Sequence, residues 1–283
     1  MPDPIYYWRY ELVPKRRLSA IATDGPRHGA LIRVGDGVAD VHPWPELGDA
    51  PLDDQLAMLA RGETTPLTRK SIAFAAIDAA ARRDGRSLFE GLTIPPSHWP
   101  GADPPDAFDT VKVKSIDRIP ARVRLRIDFN ATLTPGAFIQ IASTLSRERI
   151  DFIEDPCPYD ATIWSDLRKL TGLRLALDRA GEPEHGASGF DVLIIKPALQ
   201  RIPVTDAEVI VTSYMDHPIG QLCAAYAAAS AGITTTCGLV THLLYETDRF
   251  IERMRIEGTR LVPPDGSGWG FDDLLERLPW KKL

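Results

Sequence analysis

The sequence predicts an α/β protein in which a (β/α) barrel follows a smaller α+β part and the C-terminal tail returns to that first part. Three observations predict it. Beyond residue 108, short β-branched runs alternate with helical stretches, the rhythm of a parallel sheet, and seven or eight such runs imply a closed barrel. Within residues 1–40, apolar runs follow one another closely around Gly-containing turns, as antiparallel strands do. Between the two lies "TIPPSHWPGADPPDAF" (93–108), whose Pro and Gly content reads as a linker.

Taken in order, "YYWRYEL" (6–12) and "HGALIRVGDGVADVHP" (28–43) read as short antiparallel strands. "LDDQLAMLARGE" (52–63) and the Ala-rich "PLTRKSIAFAAIDAAARRDG" (66–85) carry apolar residues at helical spacing, and the second stops at a Gly. The barrel strands are "TVKVKS" (110–115), "VRLRIDFN" (123–130), "IDFIEDP" (150–156), "LRLALD" (173–178), "DVLIIKPAL" (191–199), "EVIVTSY" (208–214) and "GITTTCGL" (232–239). "SHWPGA" (97–102) supplies the remaining one. Helices are expected over 134–148, 160–172 and 218–232, while the connections after "TVKVKS" and "IIKPAL" are too short for one. The tail "GTRLVPPDGSGWGFD" (258–272) reads as extended.

With 283 residues, 44% of them apolar and 25% charged, the chain can bury a large core. A net charge of −6 and a pI near 5.6 argue against a nucleic-acid or anionic-membrane partner, and "PKRR" (14–17) and "ARRDGR" (81–86) read as solvated surface. Three cysteines without a Cys-x-x-Cys pair exclude a disulfide scaffold and fit a reducing compartment. The amino terminus lacks the apolar core of a signal peptide, and "LCAAYAAASAGI" (222–233) is too short and Ala-rich to span a membrane. A soluble, cytoplasmic protein is expected; the sequence does not decide between monomer and homo-oligomer.

Functional groups of such a barrel stand at the carboxyl ends of its strands. Side chains alternate along a strand, so Lys112 and Lys114 share one face and Val111 and Val113 the other. Around "VRLRIDFN", Arg122, Arg124, Arg126, Asp128 and Asn130 likewise share a face opposite Val123, Leu125, Ile127 and Phe129. If the apolar faces meet the outer helices, the charges point inward, where they need partners or a metal. Asp128, Glu154 and Asp178 end three consecutive strands, 26 and 24 residues apart. Oxygen ligands without histidine select a hard cation, Mg²⁺, or Mn²⁺ in its place. Singly, each acid could merely cap the next helix and each lysine guard a strand edge. Together they describe a site for a small-molecule carboxylate whose α-proton is made acidic. The base must be neutral, and Lys114 beside the ammonium of Lys112 and a metal has its pKa brought down; Lys112 helps to hold the carboxylate. Lys196, further round the barrel, faces the other side of the enediolate.

The ordered set Lys112-x-Lys114, Arg126-x-Asp128-x-Asn130, Glu154-Asp155-Pro156, Asp178 and Lys196-Pro197 resembles the enolase superfamily of muconate-lactonizing type, and within it the o-succinylbenzoate synthase family. The resemblance covers nearly the whole chain. It implies a modified (β/α) barrel over 96–254 and an α+β capping domain over 1–95, completed by about 255–283. It also implies Mg²⁺-dependent dehydration of 2-succinyl-6-hydroxy-2,4-cyclohexadiene-1-carboxylate to o-succinylbenzoate, on the way to menaquinone or phylloquinone. Carried over, Lys114 abstracts the α-proton and then assists hydroxide departure, Lys196 stabilises the enediolate, and Asp128, Glu154 and Asp178 hold the metal. Lys112, Asn130, Thr212, Ser213 and Gly238 are the substrate-binding candidates. The chain departs from the family pattern at Arg179-Ala180, and its loop around 23–31 is short where relatives carry a substrate-covering loop.

Three rivals remain at this stage. An N-acylamino acid racemase or dipeptide epimerase would use Lys114 and Lys196 as two bases, with Asp216 as an acid for a dipeptide amine. A Schiff-base aldolase would use Lys196 as nucleophile. A scaffold protein would merely salt-bridge its polar strand ends.

Overall fold

The structure is a computed structural model that describes residues 4–19, 21–117, 121–178 and 188–283. Strands β1 (Ile5–Leu12), β2 (Arg27–Val34) and β3 (Gly37–Val41) form an antiparallel meander, with Ile5 opposite Val34 and Val34 opposite Gly37. Gly35 takes φ 59° in the tight β2–β3 turn, a conformation that favours glycine. Helices α1 (Leu52–Ala60) and α2 (Pro66–Arg83) cover this sheet. Thr65 and Thr68 begin α2 with reciprocal side-chain-to-backbone bonds, ahead of which Pro66 needs no donor. A side chain at Gly37 would lie 1.8 Å from the Ala75 carbonyl oxygen, so β3 sits flush on α2 only because that residue is glycine.

The barrel strands follow. They are β4 (Thr110–Val113), β5 (Arg124–Asp128), β6 (Ile150–Glu154), β7 (Leu175–Leu177), β8 (Val192–Ile195) and β9 (Glu208–Val211), all parallel and in sequential order. Helices α3 (Pro135–Ala142), α4 (Ala161–Thr171) and α5 (Pro218–Ser230) follow β5, β6 and β9. The ring closes through isolated parallel bridges, Trp99 with Val111, Ser97 with Cys237 and Thr212 with Gly238. The first and eighth strands are thus reduced to short bridged segments, so that "SHWPGA" carries little strand signal and the β-branched "GITTTCGL" forms no more than single bridges among the described residues. The connections after β4 and β8 have no helix among the described residues.

Alternation does the positioning. Val111, Val113, Leu125, Ile127, Ile153, Leu193 and Ile195 pack outward with Phe138, Trp164 and Leu167 of the outer helices. Phe152, Ala176, Val192, Ile194 and Ile210 form a separate inner layer. On β5 the inward face is charged only in part: Arg126 and Asp128 are buried, whereas the Arg124 side chain is 61% exposed where the strand enters the barrel.

The tail returns to the first sheet. After a hairpin of β10 (Arg255–Glu257) and β11 (Arg260–Val262) come α6 (Asp272–Glu276) and β12 (Lys281–Lys282), which pairs antiparallel with β1. Asp78 of α2 ties it down, accepting from the backbone N–H groups of Val38 and Trp269 at 2.8 Å each while pairing with Arg82. The α3 stretch is shorter than the 134–148 span expected. Ser143 and Thr144 turn their hydroxyls back onto the Gln140 and Ile141 carbonyls at 2.7 and 2.8 Å, an alternative to further helix.

Candidate active site

A cavity of about 920 Å³ opens at the carboxyl ends of the barrel strands. Lys112, Lys114, Asp128, Asn130, Asp178, Lys196, Thr212, Ser213 and Gly238 line it, while Glu154 lies beneath, 1% exposed. Because β4, β5 and β6 run parallel in register, with Lys112 opposite Arg126 and Asp128 opposite Glu154, the inward side chains converge.

Lys112 bridges two acids, its Nζ 2.6 Å from Glu154 Oε1 and 3.2 Å from Asp128 Oδ2. Lys114 reaches the same Asp128 Oδ2 from 3.6 Å with its side chain 32% exposed. On the other side Lys196 clasps both oxygens of Asp178. Asn130, in a left-handed conformation (φ 50°), donates through its backbone N–H and its amide to Asp128 Oδ1 at 2.9 and 2.7 Å. Its amide nitrogen thus orients an acid rather than standing free. Ser213 is paired through its hydroxyl with Thr241 at 2.5 Å, whereas Thr212 Oγ1 is buried without a partner among the described residues.

Charge follows from this packing. Burial would lower the Lys112 ammonium, but Asp128, Glu154 and Asp178 outweigh it and carry the pKa well up. Lys114 goes the other way: burial lowers it, Asp128 opposes, and the ammonium groups of Lys112 and Lys196 push further down. Burial would raise Asp128, yet Lys112 and Lys114 hold it at about 2. Glu154 is pushed up to about 7 by burial and by Asp128, with Lys112 pulling against them. Asp155, next along and with φ 42°, is also raised by burial and by Asp178.

Among the described residues no three acids, histidines or cysteines are drawn together as a formed metal site; ammonium groups bridge or clasp the carboxylates instead. The donor set nonetheless fits a hard cation. Glu154 Oε2 is buried with no partner among the described residues, and its carboxylate feels both Asp128 and Asp178.

The structure adds residues that the sequence did not single out. Leu18, Ser19, Ile21 and Leu47 bring the first sheet over the cavity, and Arg16 donates to the Pro100 carbonyl at 2.6 Å across its rim. Residues 16–19 and 21 thus border the cavity, while much of the short 23–31 stretch is β2. His98 lines the floor; lacking any ligand spacing in the sequence, it gave no signal there. Asp216 is corrected. It is 2% exposed, absent from the cavity, and turned toward Asp40 across Gly220. Residues 179–180 lie outside the described residues.

A parallel barrel under an antiparallel cap, with acids on successive strand ends flanked by lysines, is the fold of the enolase superfamily. Solved structures share it. The L-Ala-D/L-Glu epimerase of Bacillus subtilis superposes with a TM-score of 0.76 at 15% identity, over 95% of this chain and 98% of that one. The dipeptide epimerase of Cytophaga hutchinsonii, complexed with Mg and the dipeptide D-Ala-L-Val, does so at 0.74 and 16%, over 100% and 99%. At these identities the likeness speaks for the fold alone. The family model for the o-succinylbenzoate synthase N-terminal domain matches residues 5–81. The o-succinylbenzoate synthase of Bdellovibrio bacteriovorus is 33% identical, over 99% of this chain and 98% of its own length. That of Thermobifida fusca is 27% identical over half of each chain. The chain belongs to the o-succinylbenzoate synthase family, and its enzyme class is carbon–oxygen lyase of the hydro-lyase type.

Proposed function

We propose that this chain dehydrates 2-succinyl-6-hydroxy-2,4-cyclohexadiene-1-carboxylate to o-succinylbenzoate, in the cytoplasm and in service of menaquinone or phylloquinone synthesis. The observation that carries the reading is the asymmetry of the lysines: Lys112 is held charged between Glu154 and Asp128 while its neighbour Lys114 is lowered. Lys114, losing its proton more easily, takes the α-proton of the ring carboxylate, and as its conjugate acid returns a proton to the departing hydroxide on the same face. Water leaves and the ring becomes aromatic. Lys196 lies on the opposite side and offsets the charge of the enediolate; Lys112 steadies the carboxylate. Asp128, Glu154 and Asp178 would hold Mg²⁺, which when bound supplies Lewis-acid stabilisation of that charge. Asn130 keeps Asp128 aimed. Thr212, Ser213 and Gly238 receive the succinyl arm. Residues 1–95 with 255–283 serve as the cap and 96–254 as the catalytic barrel.

A racemase or epimerase would need the same two lysines, but its support from Asp216 falls away, since that acid is buried at a seam. The test is loss of the diene's ultraviolet absorbance with Mg²⁺ and again with EDTA. Fast, EDTA-sensitive loss is expected. A folded protein that binds Mg²⁺ and leaves the diene untouched would overturn the reading and direct attention to α-proton exchange of N-acylamino acids and dipeptides in D₂O.

A further inference from the structure

Beside the acids, a second polar constellation joins Arg126 of β5 and Asp151 of β6 to His98 on the bridged first strand. His98 is 5% exposed and lines the cavity floor. Its Nδ1 lies 3.0 Å from Nη1 of Arg126, a guanidinium that also donates to Asp151 Oδ2 and to the Thr236 carbonyl oxygen at 2.8 Å each. Guanidinium nitrogens carry protons and no free acceptor pair, so His98 Nδ1 must be the acceptor. The one proton of a neutral imidazole then sits on Nε2. Burial, and next the positive charge of Arg126, hold this ring well below the ordinary imidazole range, so neutrality is its state at physiological pH.

What Nε2 meets is defined by a missing side chain. A Cβ at Gly238 would lie 3.1 Å from His98 Nε2, 2.9 Å from its Cε1 and 2.9 Å from Thr212 Cγ2. The φ of Gly238 is not positive, so the glycine is required for space and not for conformation. It leaves a notch between the imidazole edge and Thr212. Nε2 has no protein partner among the described residues, and Thr212 Oγ1 is buried with none. The unspent Nε2 of His98 thus borders a gap in the wall of the cavity whose other side is the Thr212 methyl. Arg126 is itself fixed, 2% exposed, with its guanidinium 4.8 Å over the Phe152 ring.

We infer that His98 is a specificity residue, whose Nε2–H, set as a donor by the buried Asp151–Arg126 pair, binds an acceptor oxygen on the side arm of the substrate in the notch left by Gly238. The inference rests on the proposed dehydration and adds to it a residue and a bond. The arm carries two kinds of acceptor, a keto oxygen and a terminal carboxylate, and the test separates them.

Wild type, H98F and H98Q are titrated, with Mg²⁺ present, with o-succinylbenzoate, with 2-acetylbenzoate, which keeps the keto oxygen alone, and with benzoate, which has no arm. H98F should weaken o-succinylbenzoate about tenfold, the worth of one neutral hydrogen bond, and leave benzoate unchanged. H98Q, whose amide can accept from Arg126 and still donate forward, should recover most of the loss. An equal loss with 2-acetylbenzoate assigns the keto oxygen; no loss with it assigns the terminal carboxylate. Equal weakening of all three ligands, or of none, overturns the inference. Independently of any variant, ¹⁵N shifts of the wild-type ring should report a neutral imidazole protonated on Nε2, and an Nδ1–H form or an imidazolium would overturn it. Wild-type turnover of the diene is the control. Normal turnover with an indifferent H98F defeats this inference alone, whereas a wild type that neither turns over the diene nor binds o-succinylbenzoate defeats the parent reading as well.

Discussion

Among the described residues, the buried acids at the cavity and those at the seam of the first sheet differ in what they face. At the cavity, Asp128, Glu154 and Asp178 are met by Lys112, Lys114 and Lys196. At the seam between the first sheet and α5, Asp40 and Asp216 face each other across Gly220 with no cation paired to either among the described residues. Their partners are neutral: the Tyr10 hydroxyl, 2.6 Å from Asp40 Oδ1, and the His217 backbone N–H, 3.1 Å from Oδ2. Burial is similar, 3% exposure for Asp128 against 8% for Asp40. Yet Asp128 is held at about 2, while burial pushes Asp40 up to about 7, and Asp216 is raised too. Burial alone therefore does not set the charge of Asp128; its two lysines do, whereas Glu154, which shares Lys112 with the neighbouring acids Asp128 and Asp178, is pushed up to about 7 like Asp40. The cavity cluster holds charge on Asp128, where an anionic substrate arrives. The other sheds charge and joins two layers.

The sharpest way to break this contrast is at Lys114. Removing a positioned base costs about 10²–10⁴-fold in rate, so Lys114→Ala should lose turnover on that scale. It is not among the proposed ligands, so Mg²⁺ affinity, read by titration, should survive. Retained turnover would mean that the lowered lysine is as inert as the neutral seam.

The charged cluster was open to reading from sequence because strand alternation and the spacing of strand ends are local rules. Lys112 and Lys114 two apart, and acids one β/α unit apart, place themselves once a parallel barrel is granted. His98 was not legible, since its role comes from Arg126 on a strand that is distant in sequence and adjacent only after closure through single bridges. Asp216 was misplaced for the same reason. It closely follows cavity residues Thr212, Ser213 and Met215, but the chain turns at Met215 (φ 51°) and sends it to Asp40 on β3. A seam of this kind is a product of tertiary contact, and nothing in the local pattern announces it.

Asp40 gives the next test, smaller and of stability. In the fold its carboxyl titrates near 7 and in the unfolded chain near the ordinary 3.8, so between those values the unfolded state ionises and the folded state keeps its proton. Stability is fully present below about 4 and falls as pH rises through 7, by up to about 4 kcal/mol. The facing Asp216 makes this a titration of the pair. Asp40→Asn keeps an acceptor for His217 and can donate to Tyr10, so its melting temperature should vary less between pH 4 and 8 than that of wild type. Parallel curves for the two proteins would show that Asp40 is charged in the fold, and the contrast would collapse.

The smallest expected effect is at Gly220, in the first turn of α5. Helix propensity alone favours Gly220→Ala by about 1 kcal/mol. Space opposes it: the new Cβ would stand 2.5 Å from Asp216 Oδ2 and 2.7 Å from Asp40 Oδ2. Neither acid can retreat freely, because Asp40 is held by Tyr10 and by the His217 N–H, and Asp216 is 2% exposed. Overpacking of this kind costs about 1–3 kcal/mol, enough to cancel or exceed the helical gain. Urea unfolding should therefore find the variant unchanged to about 2 kcal/mol weaker, and weaker still above pH 7, where Asp40 charges and crowds the added methyl. A variant stabilised by the full propensity term would mean that the two acids swing apart at little cost, and that the seam is held by the apolar contacts around it and not by the neutral pair.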